Sequence, residues 1–165
     1  VTSTTDPELA TLTVATFLRT HRVLFDALDR ELRDRVGLSI PQWEVLEAIG
    51  RSAEGRLRMV DITKRMCVSK SGVTQLVDRL EEKGLVARSF SSSDRRLIYA
   101  SLTQAGAEAS RQAWPAFHAA VEAHFTRHLS GADVSCLRRG LTKVLGGSGL
   151  PEAVLDDHEE EQVRS

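Results

Sequence analysis

Aromatic residues are scarce in this chain: one Tyr, two Trp and five Phe among 165 residues. So few rings argue against a surface that stacks on carbohydrate or on other aromatic ligands. Cysteine is scarcer still. Cys67 and Cys136 are the only two, far apart and without a Cys-x-x-Cys pair. Such usage suggests neither a disulfide framework nor a thiolate zinc site, and free thiols in a reducing compartment are expected. No apolar run approaches the roughly 18 residues that a membrane helix needs. A basic-then-apolar leader is also missing, so a cytoplasmic protein with no membrane partner is expected. The chain opens on Val1 rather than Met, as a trimmed or processed start would. Gly-rich phosphate loops, Gly-x-Ser-x-Gly and His-Glu-x-x-His are absent, which speaks against an enzyme and against a bound cofactor.

What is present is ordinary in amount and uneven in placement. Hydrophobic residues make up 41% and charged residues 27% of the chain, as in soluble globular proteins. The length allows one domain with a real core and arms for a partner. Net charge is −1, which at first discourages nucleic acid. Between Arg51 and Arg96, however, eleven Lys and Arg stand against six Asp and Glu, a net of +5. The remaining eleven basic and seventeen acidic residues leave −6 elsewhere. A basic middle between acidic ends suits a DNA-binding module on a scaffold that does not touch DNA.

Helix and turn signals follow one another along the chain. Val1 to Thr5 reads as a loose tail. Asp6-Pro7-Glu8 combines an N-cap, Pro at the first helical position and an acid in the first turn. Leu9, Leu12, Phe17, Leu24, Leu28 and Leu32 then recur at helical spacing to about Val36, and Gly37 closes the segment. A helix of roughly 30 residues is about 45 Å long at 1.5 Å per residue, more than a small domain covers, so part of it is expected to meet a second chain. Ser39 and Gln42 form a capping box for a short helix carrying Trp43, Leu46 and Ile49. Arg56 to Met59 alternates like a strand, and a third short helix is expected to Met66, with Cys67 and Val68 in a turn.

The next stretch, VSKSGVTQLVDRLEEKGLV from Val68 to Val86, is the most informative. Ser69 can cap a helix and Gly84 can end it. Val73, Leu76, Val77 and Leu80 fall at i, i+3, i+4 and i+7, one buried face. Lys70, Ser71, Thr74, Gln75, Asp78 and Arg79 occupy the other. Short donors and acceptors near a helix N-terminus are what reading base edges and holding phosphates from a major groove requires. An ordinary polar surface helix has the same pattern, and the neighbouring sequence decides between them. Leu85 to Phe90 and Leu97 to Leu102 read as two strands of a hairpin with a Ser- and Arg-bearing tip. Thr103 caps a long helix to about Leu129, with Trp114, Phe117, Val121 and Phe125 as its apolar residues and a kink expected at Pro115. Ser130 caps a last helix with Val134, Leu137, Leu141, Val144 and Leu145 along one stripe. Gly146 to Gly149 is expected to break it, ahead of an acidic tail.

Three motifs in this order, LSIPQWEVLEAI, VSKSGVTQLVDRLEEKGLV and SSDRRLIYASLTQAG, resemble the MarR family of bacterial transcriptional regulators. The likeness covers Leu38 to Gly106, and the flanking helices agree in layout. It implies a mainly α protein with a small β-wing: a winged helix-turn-helix DNA-binding lobe at 37–102, a dimerisation helix at 1–36, further dimerisation helices at 103–146 and an acidic flexible tail at 147–165. It also implies a homodimeric repressor on a pseudo-palindromic double-stranded DNA operator. Ser69, Lys70, Ser71, Thr74, Gln75 and Arg79 then fall on recognition-helix positions. Arg96 falls on the wing arginine that enters a minor groove, Asp94 on the acid that orients it, and Arg95 beside them for phosphate contact. Lys64 and Arg65 are equally readable as solvated or as phosphate contacts, and Asp78 as structural.

The resemblance further implies an effector, a small aromatic anion held in a crevice between the dimer helices and the DNA-binding lobe. His21, Arg22, Phe25, Trp43 and His118 are the candidates to line it, although Phe25 and Trp43 also suit the core. His124 and His128, four apart on the expected long helix, have zinc-chelating spacing. No third ligand lies close by, so no metal site is expected. Cys67 and Cys136 read as small buried residues. The rival readings are a winged helix that binds protein instead of DNA, and a zinc-responsive regulator.

Overall fold

The computed structural model describes residues 6–148 apart from Cys67, Ser92, Ser93 and Arg95. The expected N-terminal tail, the Cys67 turn, Arg95 and the acidic stretch beyond Ser148 therefore lie outside the described residues. Along the chain run α1 (Pro7–Val36), α2 (Ile40–Gly50), β1 (Arg56–Arg58), α3 (Met59–Arg65), α4 (Lys70–Glu82), β2 (Val86–Phe90), β3 (Ile98–Leu102), α5 (Gln104–His124) and α6 (Gly131–Ser148). This is the mainly helical architecture with a small antiparallel sheet that the sequence implies. Among the described residues no helix is long and apolar enough to cross a membrane.

Local signals set the boundaries. Asp6 caps α1 by accepting from Glu8 N at 3.0 Å, and Gly37 ends it at φ 70°. Both bonds of the Ser39–Gln42 capping box form, Ser39 N to Gln42 Oε1 at 3.1 Å and Gln42 N to Ser39 Oγ at 3.3 Å. Eight of the eleven residues of α2 are buried, so α2 is the axle of the core. Trp43 is fully buried against Trp114 and Phe117 of α5, with ring centroids 4.9 and 4.7 Å apart. The acid inside this helix, Glu47, is satisfied by the Ser110 hydroxyl and by Arg51 Nη2 at 3.3 Å. The sheet has the order β1-β3-β2, with Leu57 opposite Ala100 and Arg88 opposite Ala100 on the other side.

Four expectations are overturned in the helical arms. α5 stops at His124, short of Leu129. Phe125 leaves helical geometry at φ −127°, ψ −67°, and a single 3-10 turn follows over Thr126–His128. The buried face of α5 is made of Gly106, Ser110, Ala113, Ala116 and Ala120, with the larger Trp114, Phe117 and Val121 half-buried at its margins. Small residues let the α1 and α2 backbones come close, which no periodicity of large apolar side chains reveals. α6 runs on through Gly146 and Gly147 to Ser148, because an interior glycine costs a helix only about 1 kcal/mol relative to alanine. Cys136 is exposed, not core, since α6 makes at most slight contact with any other element among the described residues. Its Leu137, Leu141, Val144 and Leu145 are exposed, as are Leu9, Leu12, Val14, Phe17 and Leu18 on α1.

Candidate nucleic-acid interface

α4 presents two contrasting faces. Val73, Val77 and Leu80 are fully buried, whereas Ser69, Lys70, Ser71, Thr74, Gln75 and Arg79 are all exposed. Ser69 Oγ caps the helix by accepting from Gly72 N at 3.2 Å, and lies 3.1 Å from Ser71 Oγ. Its oxygen is thus spent largely on the cap. Thr74 Oγ1 donates to Lys70 O at 3.0 Å, which leaves its methyl and its lone pairs for a partner. No acidic residue falls in the first turn, so the helix's positive N-terminal end faces outward unneutralised. Lys64 and Arg65, at the end of α3, are exposed as well. Lys64 Nζ lies 3.9 Å from Asp61 Oδ1, and its side chain is largely in solvent.

The β2–β3 hairpin stands beside this helix. Asp94 lies in its tip. The Asp94 carboxylate accepts from Arg96 N at 2.9 Å, and its carbonyl accepts from Leu97 N at 3.0 Å. Asp94 therefore fixes the backbone from which Arg96 projects, and both residues are exposed. Arg95 lies outside the described residues. At the hairpin's root, Leu85 N donates to Leu80 O at 2.9 Å and Thr103 Oγ1 donates to Gly84 O at 2.7 Å.

Arg88 of β2 was not among the expected site residues. It reaches across to α4 and donates to Asp78 Oδ1 at 2.5 Å, Glu81 Oε2 at 3.3 Å and the Thr74 carbonyl at 3.3 Å. Asp78 is thereby structural, as the sequence suggested, but its partner is not a neighbour on its own helix. The available signal was an arginine at the second inward position of a strand that follows a helix carrying two acids three residues apart.

The residues expected to line an effector crevice fall into two groups within the single chain, His21, Arg22 and Phe25 on α1, and Trp43 and His118 on either side of Trp114. His21 stacks between Phe17 and Phe25, with centroids 6.3 and 5.9 Å away, on an exposed side of α1 that also carries Arg22. Trp43 belongs to the core, where its bulk fills the space left by the alanines of α5. His118 is exposed and sits edge-on to Trp114 at 5.3 Å. His124 and His128 do not share a helix, because α5 ends between them. His124 Nε2 lies 3.5 Å from Glu31 Oε1 of α1. That hydrogen bond, with Arg35 next in strength, holds the Glu31 carboxyl below the usual glutamate range. Among the described residues no three His, Cys, Asp or Glu draw together as a metal site would require.

The family model described as MarR family matches residues 36–97. The crystal structure of AbsC, a MarR family transcriptional regulator from Streptomyces coelicolor, is 32% identical, with a TM-score of 0.74 over 89% of this chain and 97% of that one. The chain belongs to the MarR family. Another MarR-family regulator from Streptomyces coelicolor, Sco3205, solved in complex with DNA, is 28% identical, with a TM-score of 0.77 over 86% of this chain and 92% of its own. The transcriptional repressor MdtR of Bacillus subtilis (strain 168) is 36% identical over 88 residues, 52% of this chain and 56% of MdtR. The chain spans about half the length of the curated relatives it matches. The family match ends at Leu97, so it covers the basic lobe short of β3 and not the helical arms.

Proposed function

We propose that this MarR-family chain is a cytoplasmic, sequence-specific DNA-binding transcriptional regulator, a repressor without enzymatic activity that grips a pseudo-palindromic operator as a homodimer. The observation that carries the reading is the division of α4: its apolar face is sealed in the core while six polar and basic residues stay open beside the Asp94-anchored Arg96. Lys70, Ser71, Thr74, Gln75 and Arg79 enter a major groove, Arg96 enters the neighbouring minor groove, and Lys64, Arg65 and Arg95 hold phosphates. The likeness to a relative solved on DNA supports this assignment.

The arms support the homodimer. An 18-residue helix with an unsupported apolar stripe and a 30-residue helix bare along its first half call for a second copy to cover them. Two-fold symmetry then places the two α4 helices about 34 Å apart, one turn of duplex. An effector, a small aromatic anion, would act by favouring a dimer with a different spacing, since only differential affinity shifts such an equilibrium.

Selection from a random duplex pool by the full chain, followed by footprinting, tests the reading. Enrichment of an inverted repeat protected on one face of the helix is expected. Uniform retention of the pool, or equal binding to heparin, would overturn it.

A further inference from the structure

A winged helix reads two grooves with two separate devices, so its accuracy depends on the distance and angle between them. In this chain the wing tip is far along a hairpin from the helix it must work with. The root bonds at Leu85 and Thr103 fix where the hairpin starts, not where it leans. Arg88 is placed to fix the lean. It lies two residues up β2 from Val86, at the level of Ala100 on β3. Its guanidinium spans two turns of α4, from the Thr74 carbonyl to the Glu81 carboxylate, with Asp78 between. Its own backbone N donates to Glu81 Oε1 at 3.3 Å, so the strand is held as well as the side chain. A planar fork with several directed donors can hold one relative orientation in a way that a single ammonium cannot.

The same contact has an electrostatic consequence. Asp78 and Glu81 are half-exposed on the helix that the basic face of this lobe belongs to. Left alone they would repel a polyanion. Paired with Arg88, their combined charge falls from −2 to −1.

We propose that Arg88 is a positioning residue for DNA recognition, locking the wing to the recognition helix so that Arg96 and the α4 residues engage adjacent grooves together, while screening Asp78 and Glu81 from the phosphates. This rests on the DNA-binding reading above. Arg88 itself touches no base in this account. Its effect is on the ratio of specific to non-specific binding and on the coupling between wing and helix.

The test uses the full chain, a duplex selected by it from a random pool, and a random duplex of the same length. Arg88→Lys keeps the charge but loses the fork. It lowers the ratio of selected to random affinity about tenfold, the size of a well-made base contact, while random-duplex affinity changes little. On this background Arg96→Ala costs less than it does in the parent chain, because a wing no longer held in place contributes less. Should Arg88→Lys fail to fold, Asp78→Asn with Glu81→Gln removes the other side of the lock. In that variant the ratio also falls, here because random-duplex binding rises. An unchanged ratio in the variant that folds, or an Arg96→Ala cost equal on both backgrounds, would overturn the proposal while leaving the DNA-binding reading intact. A parent chain that enriches no sequence at all would sink both.

Discussion

Gly106, in the first turn of α5, lies so close to Leu85 that a Cβ on it would overlap the Leu85 carbonyl oxygen and crowd the carbonyl carbon. That carbonyl also accepts from Thr103 N at 3.1 Å, and Thr103 Oγ1 caps α5 by accepting from Gly106 N at 3.0 Å. Leu85 cannot move away without breaking the root of the wing. Gly106→Ala is therefore expected to destabilise the fold by about 1–3 kcal/mol, the usual cost of overpacking, although Ala is the better helix former. Urea unfolding of the two proteins decides the matter; equal midpoints would show that the junction has slack.

Arg96→Ala removes the one wing-tip guanidinium among the described residues. Affinity for the selected duplex is expected to drop strongly with the dimer intact. The salt dependence should shallow by at most about 0.9 in the log–log slope, the value for one cation removed from the field of the phosphates. Anisotropy titrations over a range of salt concentrations read both quantities. No change in either would remove Arg96 from the interface.

Thr74→Ala and Gln75→Ala test base reading in α4. Each is expected to cost about 1–3 kcal/mol of discrimination between selected and random duplex. An equal loss on both duplexes would mean that the residue meets phosphate only.

Leu141→Glu places a charge in the bare stripe of α6. A sedimenting species of half the mass, with the DNA-binding lobe still folded by circular dichroism, is expected. A dimer unaffected by this change would mean that α6 does not form the interface.

Glu44 lies in α2, mostly enclosed, and burial raises its carboxyl above the usual glutamate range. Between the ordinary and the raised value the folded chain holds more protons than the unfolded chain, so stability falls as pH rises. The contribution is full below the unfolded pKa and is gone above the folded one. Glu44→Gln should therefore flatten the acid-to-neutral stability profile and gain relative to the parent at neutral pH. Parallel profiles for the two proteins would show that Glu44 ionises without penalty.

The elements with strong punctuation were legible in the sequence. Asp6-Pro7, the Ser39–Gln42 box, the Ser69 cap and Gly84 placed α1, α2 and α4 to within a residue or so. The polar face of α4 was legible because helical periodicity separates it cleanly from Val73, Val77 and Leu80. The inner face of α5 was not, because alanines at Ala113, Ala116 and Ala120 bury well without standing out as hydrophobic. The end of α5 was missed because Phe125 breaks the helix by backbone angle and not by a glycine or proline. Arg88 was missed because its partners, Asp78 and Glu81, are brought to it only by the strand folding back along the helix. Trp43 was readable as core or as crevice, and only the fold shows it buried against Trp114 and Phe117, because a count of rings says nothing of which side of a helix is already filled.

An unsupported helix of 18 residues is marginal in water. On the homodimer reading, the persistence of α6 is a matter of encounter between molecules. In dilute solution its amide protons should exchange almost freely, and with rising concentration they should slow together, making this segment a built-in gauge of how much of the protein a cell holds.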